Sequence, residues 1–420
     1  MCSYLQIHDI LDPHQSGFRN NHSTTTALVK ITDDVRFAMD RRELTSLVLF
    51  DYSKAFDRVH HELLLTKLRY VGFSNAVVQW FRSYLTVRSQ RIVFKDGTRS
   101  EWKTVTTGVP QGSVLAPIIF ALYVNDISEA FLYSHYHLYA DDLQIYRHFS
   151  PVCLESASIL LNEDICRLVS WSHNHNLILN CEKTQFIIFG NARILNQVKH
   201  AGQVHITVDG KTLLPVPTVR NLGLIMDNTL TWSSHVHSTI QKVSSTIYQL
   251  RRNLDFLPLK IRKILVQSLV FPILEYSSPA MNDVSKTLNL KLQRTQNACV
   301  RFVLNVRRHE HITPYFKKLG WLKLKERRSL STVELALRIV CNKSPKYLVD
   351  RFTSQSSIHN RNNRYTNLLF QIPHHRTGKC SGTFSITACK LWNSLNLHQV
   401  LSKSSRYRKK YIYGQLFSHF

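Results

Sequence analysis

Tyr139-Ala140-Asp141-Asp142 places two adjacent carboxylates between the runs His137-Leu138-Tyr139 and Leu143-Gln144-Ile145-Tyr146. Two apolar-aromatic runs around a short polar break predict a β-hairpin with the paired acids at its tip. Carboxylates at a tight turn can hold divalent cations, and two cations about 4 Å apart are a general device for phosphoryl transfer. The same pair, taken alone, also reads as a plain polar turn, because Asp is a favoured turn residue. A third acid, Asp51, follows the apolar run Leu47-Val48-Leu49-Phe50 and so ends a short buried strand. If that strand and the hairpin share one sheet, three carboxylates converge. Packed alone they would repel and raise one another's pKa values. Bound Mg²⁺ resolves the repulsion; one ion would activate an attacking 3′-hydroxyl, and both would stabilise an in-line transition state on an α-phosphate.

The elements that position these acids belong to a chain of 420 residues, 44% hydrophobic. That is enough for two or three domains with a sizeable core. No stretch reaches the roughly 18 uninterrupted apolar residues of a membrane span; the longest, Ile264 to Tyr276, is broken by Gln267, Pro272 and Glu275. The N-terminus has no basic region followed by an apolar one, so no secretory signal is expected. Eight cysteines are scattered without a CxxC pair, as for reduced thiols used in packing. Cys380 and Cys389, near His374 and His375, leave a metal site as the alternative there. These features point to an intracellular protein, with nucleus and cytoplasm both open. Net charge is +26 and unevenly spread: residues 1–240 hold 22 Lys+Arg against 21 Asp+Glu, whereas residues 241–420 hold 32 against 7. The basic half is expected to track phosphates of a nucleic acid. A solvated basic face or a membrane-surface patch is the competing reading, weakened because no single basic amphipathic helix carries the charge.

Along the chain, residues 11–19 read as a loop with no preceding element to anchor it. A helix is expected over 24–41 with Ser23 as cap, then the strand 46–50. Asp57 is placed as the cap of a helix running to Tyr70 and stopping at Gly72. A helix over 76–85 and strands at 91–94 and 104–106 follow. Gly108-Val109-Pro110-Gln111-Gly112 is a loop that opens an apolar helix over 113–125. Leu154, Ala157, Leu161, Ile165 and Leu168 repeat at helical spacing, so 153–172 is an amphipathic helix. Strands are expected at 178–180 and 185–189, and at 204–208 and 222–226 around the turn Asp209-Gly210. Helices are expected over 236–250, 260–277 and 285–304. Past Arg307 the pattern becomes basic and loosely structured.

Three segments in this order, Asp51-Tyr52-Ser53-Lys54-Ala55-Phe56-Asp57, Gly108-Val109-Pro110-Gln111-Gly112-Ser113-Val114-Leu115-Ala116-Pro117 and Tyr139-Ala140-Asp141-Asp142, resemble the successive palm motifs of reverse transcriptases. The match is closest to non-LTR retrotransposons of the jockey and CR1 type. Leu179-Asn180-Cys181-Glu182-Lys183-Thr184, Asn221-Leu222-Gly223-Leu224 and, upstream, Gln15-Ser16-Gly17-Phe18-Arg19 resemble that family too, as do Phe384-Ser385 and Leu391-Trp392-Asn393-Ser394-Leu395. The resemblance implies an α+β right-hand polymerase fold: partial fingers over 1–45, a ferredoxin-like palm with further fingers elements over 46–230, a helical thumb over 231–306 and a basic nucleic-acid-binding region over 307–420. It implies RNA-directed DNA polymerisation from an RNA template, a DNA primer and dNTPs, with Mg²⁺ as cofactor and Mn²⁺ as substitute, and no membrane partner. A non-catalytic nucleic-acid-binding remnant is the alternative. An RNA-directed RNA polymerase or a template-independent nucleotidyltransferase fits Pro110-Gln111-Gly112 and Tyr139-Ala140 less well.

Residue roles follow from that resemblance. Asp51, Asp141 and Asp142 are the catalytic metal ligands. Phe56 lies under the sugar and disfavours a 2′-hydroxyl. Gln111 and Gly112 contact the incoming nucleotide and template, Lys183 the leaving pyrophosphate and Arg19 the triphosphate. Leu222 and Gly223 form the primer grip. Ala116 stands where many relatives carry Gly. An upstream Arg-Pro-Ile segment, an endonuclease domain and an RNase H pattern are not found, so a fragment of a longer element is expected.

Overall fold

The computed structural model describes residues 1–201, 204–355 and 369–418. They form two compact units. The first comprises Met1–Ser23, Thr45–Ile188 and Arg193–Val216; the second comprises Thr24–Leu44, Phe189–Ala192 and Pro217–Phe420.

The first unit is built on a four-stranded sheet. Its strands are β1 (Leu44–Phe50), β4 (His135–Tyr139), β5 (Asp142–Phe149) and β6 (Gln185–Phe189), in the spatial order β4-β5-β1-β6. Leu47, Val48, Leu143, Ile145, Tyr146, Phe186 and Ile187 are fully buried. Near-continuous apolar runs of this kind suit a sheet covered on both faces. The helices are α1 (Cys2–Ile7), α3 (His61–Tyr70), α4 (Asn75–Leu85), α5 (Ala116–Tyr123), α6 (Leu154–Asn174) and α7 (Ala192–Ala201). Small hairpins β2 (Arg88–Gln90) with β3 (Lys103–Val105) and β7 (Ile206–Val208) with β8 (Lys211–Leu213) complete it.

Helix α6 buries Ala157, Leu161, Ile165 and Leu168, the stripe expected from spacing. Its last turn joins α3 through Lys67 and Asp126. The Lys67 ammonium donates to the Tyr123 carbonyl and to Asp126 at 2.6 Å each, and lies over the rings of Tyr123 and Trp171. His175 approaches Asp126 at 3.5 Å. Burial opposes ionisation of Asp126, but His175 and Lys67 outweigh it and bring the carboxyl down from 3.8 to about 2.

The second unit holds α2 (Thr24–Asp40), the hairpin β9 (Thr218–Asn221) with β10 (Leu224–Asp227), and helices α8 (Ser233–Arg251), α9 (Leu259–Leu265), α10 (Phe271–Glu275), α11 (Lys286–Leu304), α12 (Thr313–Leu319), α13 (Leu324–Asn342), α14 (Lys346–Val349), α15 (Phe384–Ser394) and α16 (Ser405–Ser418). The helix expected over 260–277 is interrupted by a π segment at Val266–Val270, directly before Pro272. Proline lacks the N–H and its ring crowds the preceding turn, so the ladder widens there.

The expectation of loose structure past Arg307 is corrected. Leu322, Val333, Leu337, Trp392, Leu397 and Ile412 form a buried cluster. Helix α2 staples that region. Asp33 accepts from the Phe384 and Ser385 amides at 2.9 Å each and from the Ser385 hydroxyl at 2.5 Å, capping the start of α15. Asp40 likewise takes the amides of Arg376 and Thr377. The partners lie over 300 residues apart, so no local pattern announces them. Strand pairing is also corrected. Segments 206–208 and 222–226 do not face each other; each pairs with its own neighbour, β7 with β8 and β9 with β10. Two-residue turns at Asp209-Gly210 and Leu222-Gly223, all four residues at positive φ, make local hairpins the shorter closure.

For Asp126 the folded pKa lies below the unfolded one. Its contribution is therefore complete above about pH 4 and lost as pH falls through about 2. Thermal unfolding followed by circular dichroism between pH 4 and 2 is expected to fall less steeply in Asp126→Asn than in the native chain.

Candidate active site

Asp51 directly follows β1, which lies beside β5, so the chain after Phe50 emerges next to the β4–β5 turn. The Asp51 carbonyl accepts from the Asn180 amide at 2.7 Å, and Tyr52 bridges to Leu179. The turn that follows brings the Lys183 ammonium to 3.7 Å from the Asp51 carboxylate. Residues 178–180 thus act as an isolated bridge beside Tyr52 and not as a full strand.

The hairpin tip differs by one residue from the expected one. Tyr139 pairs with Asp142, so the turn is Ala140-Asp141 and Asp142 opens β5. The surrounding protein, and after it the charge of Asp51, raises the Asp141 pKa. Burial first, and then Asp141 and Asp51, push Asp142 up to about 6. The three acids therefore act on one another electrostatically, as convergence required. Among the described residues, however, no three His, Cys, Asp or Glu side chains stand close enough to form a ready metal cluster. One acid sits in a turn, one opens a strand and one lies past a strand end, so their side chains leave the backbone in different directions. In kind the donors suit a hard divalent cation, since all are carboxylate oxygens. The raised pKa values of Asp141 and Asp142 mark negative charge that Lys183 alone does not balance.

Ala140 has φ +60, where a Cβ costs about 1–2 kcal/mol. The strain is held by Gln15. Its buried side-chain oxygen accepts from the amides of Gly17 at 2.7 Å and Ala140 at 3.1 Å, and its nitrogen donates to the Ala140 carbonyl at 3.3 Å. The Ser16 amide donates to the Leu138 carbonyl at 2.8 Å, and the Leu138 amide to the His14 carbonyl at 3.0 Å. A Cβ on Gly17 would lie 2.3 Å from the Ala140 nitrogen, so glycine is required by contact and not by φ. The segment expected to lack an anchor is thus sewn along β4. Arg19 braces it, donating to the Asp12 carbonyl at 2.6 Å and to that of Gln15 at 3.3 Å.

Phe56 lies in a 3₁₀ turn, Ala55–Arg58, half-buried and stacked on Phe120 at 4.3 Å. Asp57 is not the helix cap; His60 is, its ring accepting from the Leu63 amide. Asp57 accepts instead from the Gln111 side-chain amide at 2.8 Å. Gly108 at φ +85 would place a Cβ 2.7 Å from the Asp57 backbone. The Val109 amide donates to the Phe56 carbonyl at 2.9 Å. The loop carrying Gln111 and Gly112 is therefore fastened to the turn carrying Phe56. Helix α5 begins at Ala116, four residues beyond Gly112 and later than expected. Leu222 and Gly223 sit in the second unit, at φ +42 and +84, with the Tyr276 hydroxyl donating to the Leu222 carbonyl. Cys380 and Cys389 are buried thiols that burial pushes up to about 12, which suits packing and not ligation. Among the described residues no helix is long and apolar enough to cross a membrane.

Gln15, Gly17 and Asp57 are positioning residues that spacing alone does not identify. Gln15→Leu leaves three buried backbone groups unpaired and is expected to lower the stability of the first unit by about 3 kcal/mol. Gly17→Ala is expected to match that loss, measured by urea unfolding.

The protein described as "Probable RNA-directed DNA polymerase from transposon BS" of Drosophila melanogaster is 26% identical over 343 residues, covering 79% of this chain and 36% of that one. The RNA-directed DNA polymerase from mobile element jockey of Drosophila funebris is 28% identical over 235 residues, covering 53% and 24%. The chain thus spans about a quarter to a third of the length of these relatives. A telomerase from Candida albicans, solved with a fragment of telomeric RNA, aligns over 83% of this chain and 56% of that one at 12% identity, with a TM-score of 0.39. The family model for reverse transcriptase (RNA-dependent DNA polymerase) matches residues 2–226, more than half of the chain, and the chain belongs to that family.

Proposed function

We propose that this chain is the RNA-directed DNA polymerase of a non-LTR retrotransposon, extending a DNA 3′-hydroxyl on an RNA template with dNTPs. One observation carries the reading: β1 lies beside β5, so Asp51 shares its electrostatic surroundings with Asp141 and Asp142, and Lys183 stands 3.7 Å from Asp51. The sheet order, with helices between β1 and β4 and between β5 and β6, supports a ferredoxin-like palm within residues 46–230. Partial fingers over 1–45, a helical thumb over 231–306 and a basic nucleic-acid-binding region over 307–420 complete the proposed right-hand assignment.

Asp51, Asp141 and Asp142 would hold Mg²⁺, or Mn²⁺ in its place. Such an ion supplies Lewis-acid activation of the 3′-hydroxyl and charge neutralisation on the α-phosphate. The protein's own groups do the rest. Lys183 would neutralise or protonate the departing pyrophosphate. Phe56, immobilised by Phe120, presents a flat ring that excludes a 2′-hydroxyl. Gln111, held by Asp57, and Gly112, open at φ +82, offer an amide and exposed backbone to the nucleotide and template. Arg19 would contact the triphosphate. The tight turn Leu222-Gly223, secured by Tyr276, serves as primer grip.

The test is primer extension on an RNA template with Mg²⁺ and dNTPs. The pair Asp141→Asn plus Asp142→Asn is expected to lower incorporation on the order of a thousandfold or more. Persistent incorporation would sink the catalytic assignment, and RNA binding without incorporation by the native chain would point to a binding remnant. Phe56→Ala is expected to admit rNTPs while dNTP use continues. An rNTP preference unchanged by that substitution removes Phe56 from the sugar site.

A further inference from the structure

Helices α8 and α11 end around a pocket of about 870 Å³, within the range of ligand sites in proteins. Its polar wall is Arg251, Arg294, Asn297, Arg301, Asn305 and Arg308, and no Asp or Glu lines it. Residues 294, 297 and 301 recur at spacings of three and four along α11, so one helix face supplies them. Arg251 closes α8, Asn305 caps α11 in the left-handed region at φ +52, and Arg308 comes from the turn that follows. Arg301 builds this turn by donating to the carbonyls of Arg308 at 3.2 Å and Glu310 at 3.1 Å. The nearby acid Glu310 is occupied elsewhere, accepting from the Arg307 amide and the Tyr315 hydroxyl.

Among the described residues, none of the four arginines is recorded in an ion pair with a carboxylate. Four guanidinium groups gathered without counter-charge repel one another, and an anion removes that cost. Guanidinium is planar and presents paired donors that match phosphate oxygens. The two asparagines add neutral donors, and Leu254 and Phe302 supply an apolar wall.

We propose that this pocket binds closely spaced phosphate groups, carried by an RNA strand or by a free polyphosphate. The inference rests on the polymerase reading only for the choice of RNA as the strand; the pocket's chemistry is independent of the aspartates. The test uses the full chain with Arg251→Gln plus Arg294→Gln. Both side chains are exposed, and circular dichroism melting confirms that the fold is kept. Fluorescence anisotropy follows a labelled single-stranded RNA of about 20 nucleotides across a salt series. At about 0.1 M salt the Kd is expected to rise roughly tenfold, and the log–log salt slope to fall by about 1.4, as for two lost single-strand phosphate contacts. Lys317→Gln plus Lys318→Gln, also exposed in the second unit, is the general-charge control and is expected to change Kd by less than about twofold. A second arm titrates sodium tripolyphosphate by calorimetry. Loss of RNA affinity assigns the pocket to the strand; loss of tripolyphosphate binding with RNA affinity kept assigns it to a free polyphosphate. If the arginine pair behaves in both arms like the native chain, or like the lysine control, the proposal is overturned. Nucleotide incorporation enters neither arm, so failure of the polymerase reading leaves this result readable.

Discussion

A buried side-chain amide governs the geometry of the first unit. Gln15 closes three hydrogen bonds onto the backbone at Gly17 and Ala140, and Ala140 is held at a φ that an alanine avoids. Each bond contributes about 1 kcal/mol, while an unpaired buried amide costs more. The clamp thus exceeds the 1–2 kcal/mol that the left-handed residue demands. Its consequence is directional. Asp141 occupies the second place in a two-residue turn and Asp142 the first place in β5, so the backbone decides where each carboxylate leaves the chain. Without the clamp a looser turn would cost less, and the acids would lose their fixed relation to Asp51 just past the adjoining strand.

Fixing those acids has an electrostatic cost. Burial and the neighbouring carboxylates raise the pKa values of Asp141 and Asp142, so their charged forms are disfavoured in the fold. The fastenings around them follow one pattern, in which a loop is tied by a side chain distant in sequence. Gln111 is tied to Asp57, and Lys183 comes to Asp51 through a turn anchored on the Asp51 carbonyl. The elements that carry these residues are short, and their rigidity comes from these ties.

The second unit uses buried charge in another way. Arg36 pairs with Asp283 where both are almost fully covered, and Asp283 also accepts from the Trp232 indole at 2.6 Å. Burial raises the Asp283 pKa against the opposing pull of Arg36. Removing either partner would leave an uncompensated charge, at about 3–5 kcal/mol, whereas the intact pair adds little net stability. Its value is specificity: together with Asp33 and Asp40 it fixes the register of α2 against segments hundreds of residues away. Four further arginines gather at the ends of α8 and α11.

The strands beside Asp51 and at 142–149, the helices over 24–40 and 154–174 and the motif order were legible because each is a local property. Apolar alternation and 3.6-residue periodicity are written in adjacent side chains. The acids themselves were legible only with Asp51 and the Gly108–Gly112 loop in their order along the chain, because the pair alone also reads as a polar turn. Asp57 was misread as a cap because a capping acid and a loop-holding acid look alike before the fold is known. The C-terminal helices were missed because their burial depends on α2 and on one another. By itself, then, the sequence determined the elements, the candidate acids and the family. The tertiary structure decided which loop clamps the hairpin, which distant segments cap which helices, and how near the carboxylates stand. Those are long-range contacts, and their energies exist only once the chain has brought the partners together.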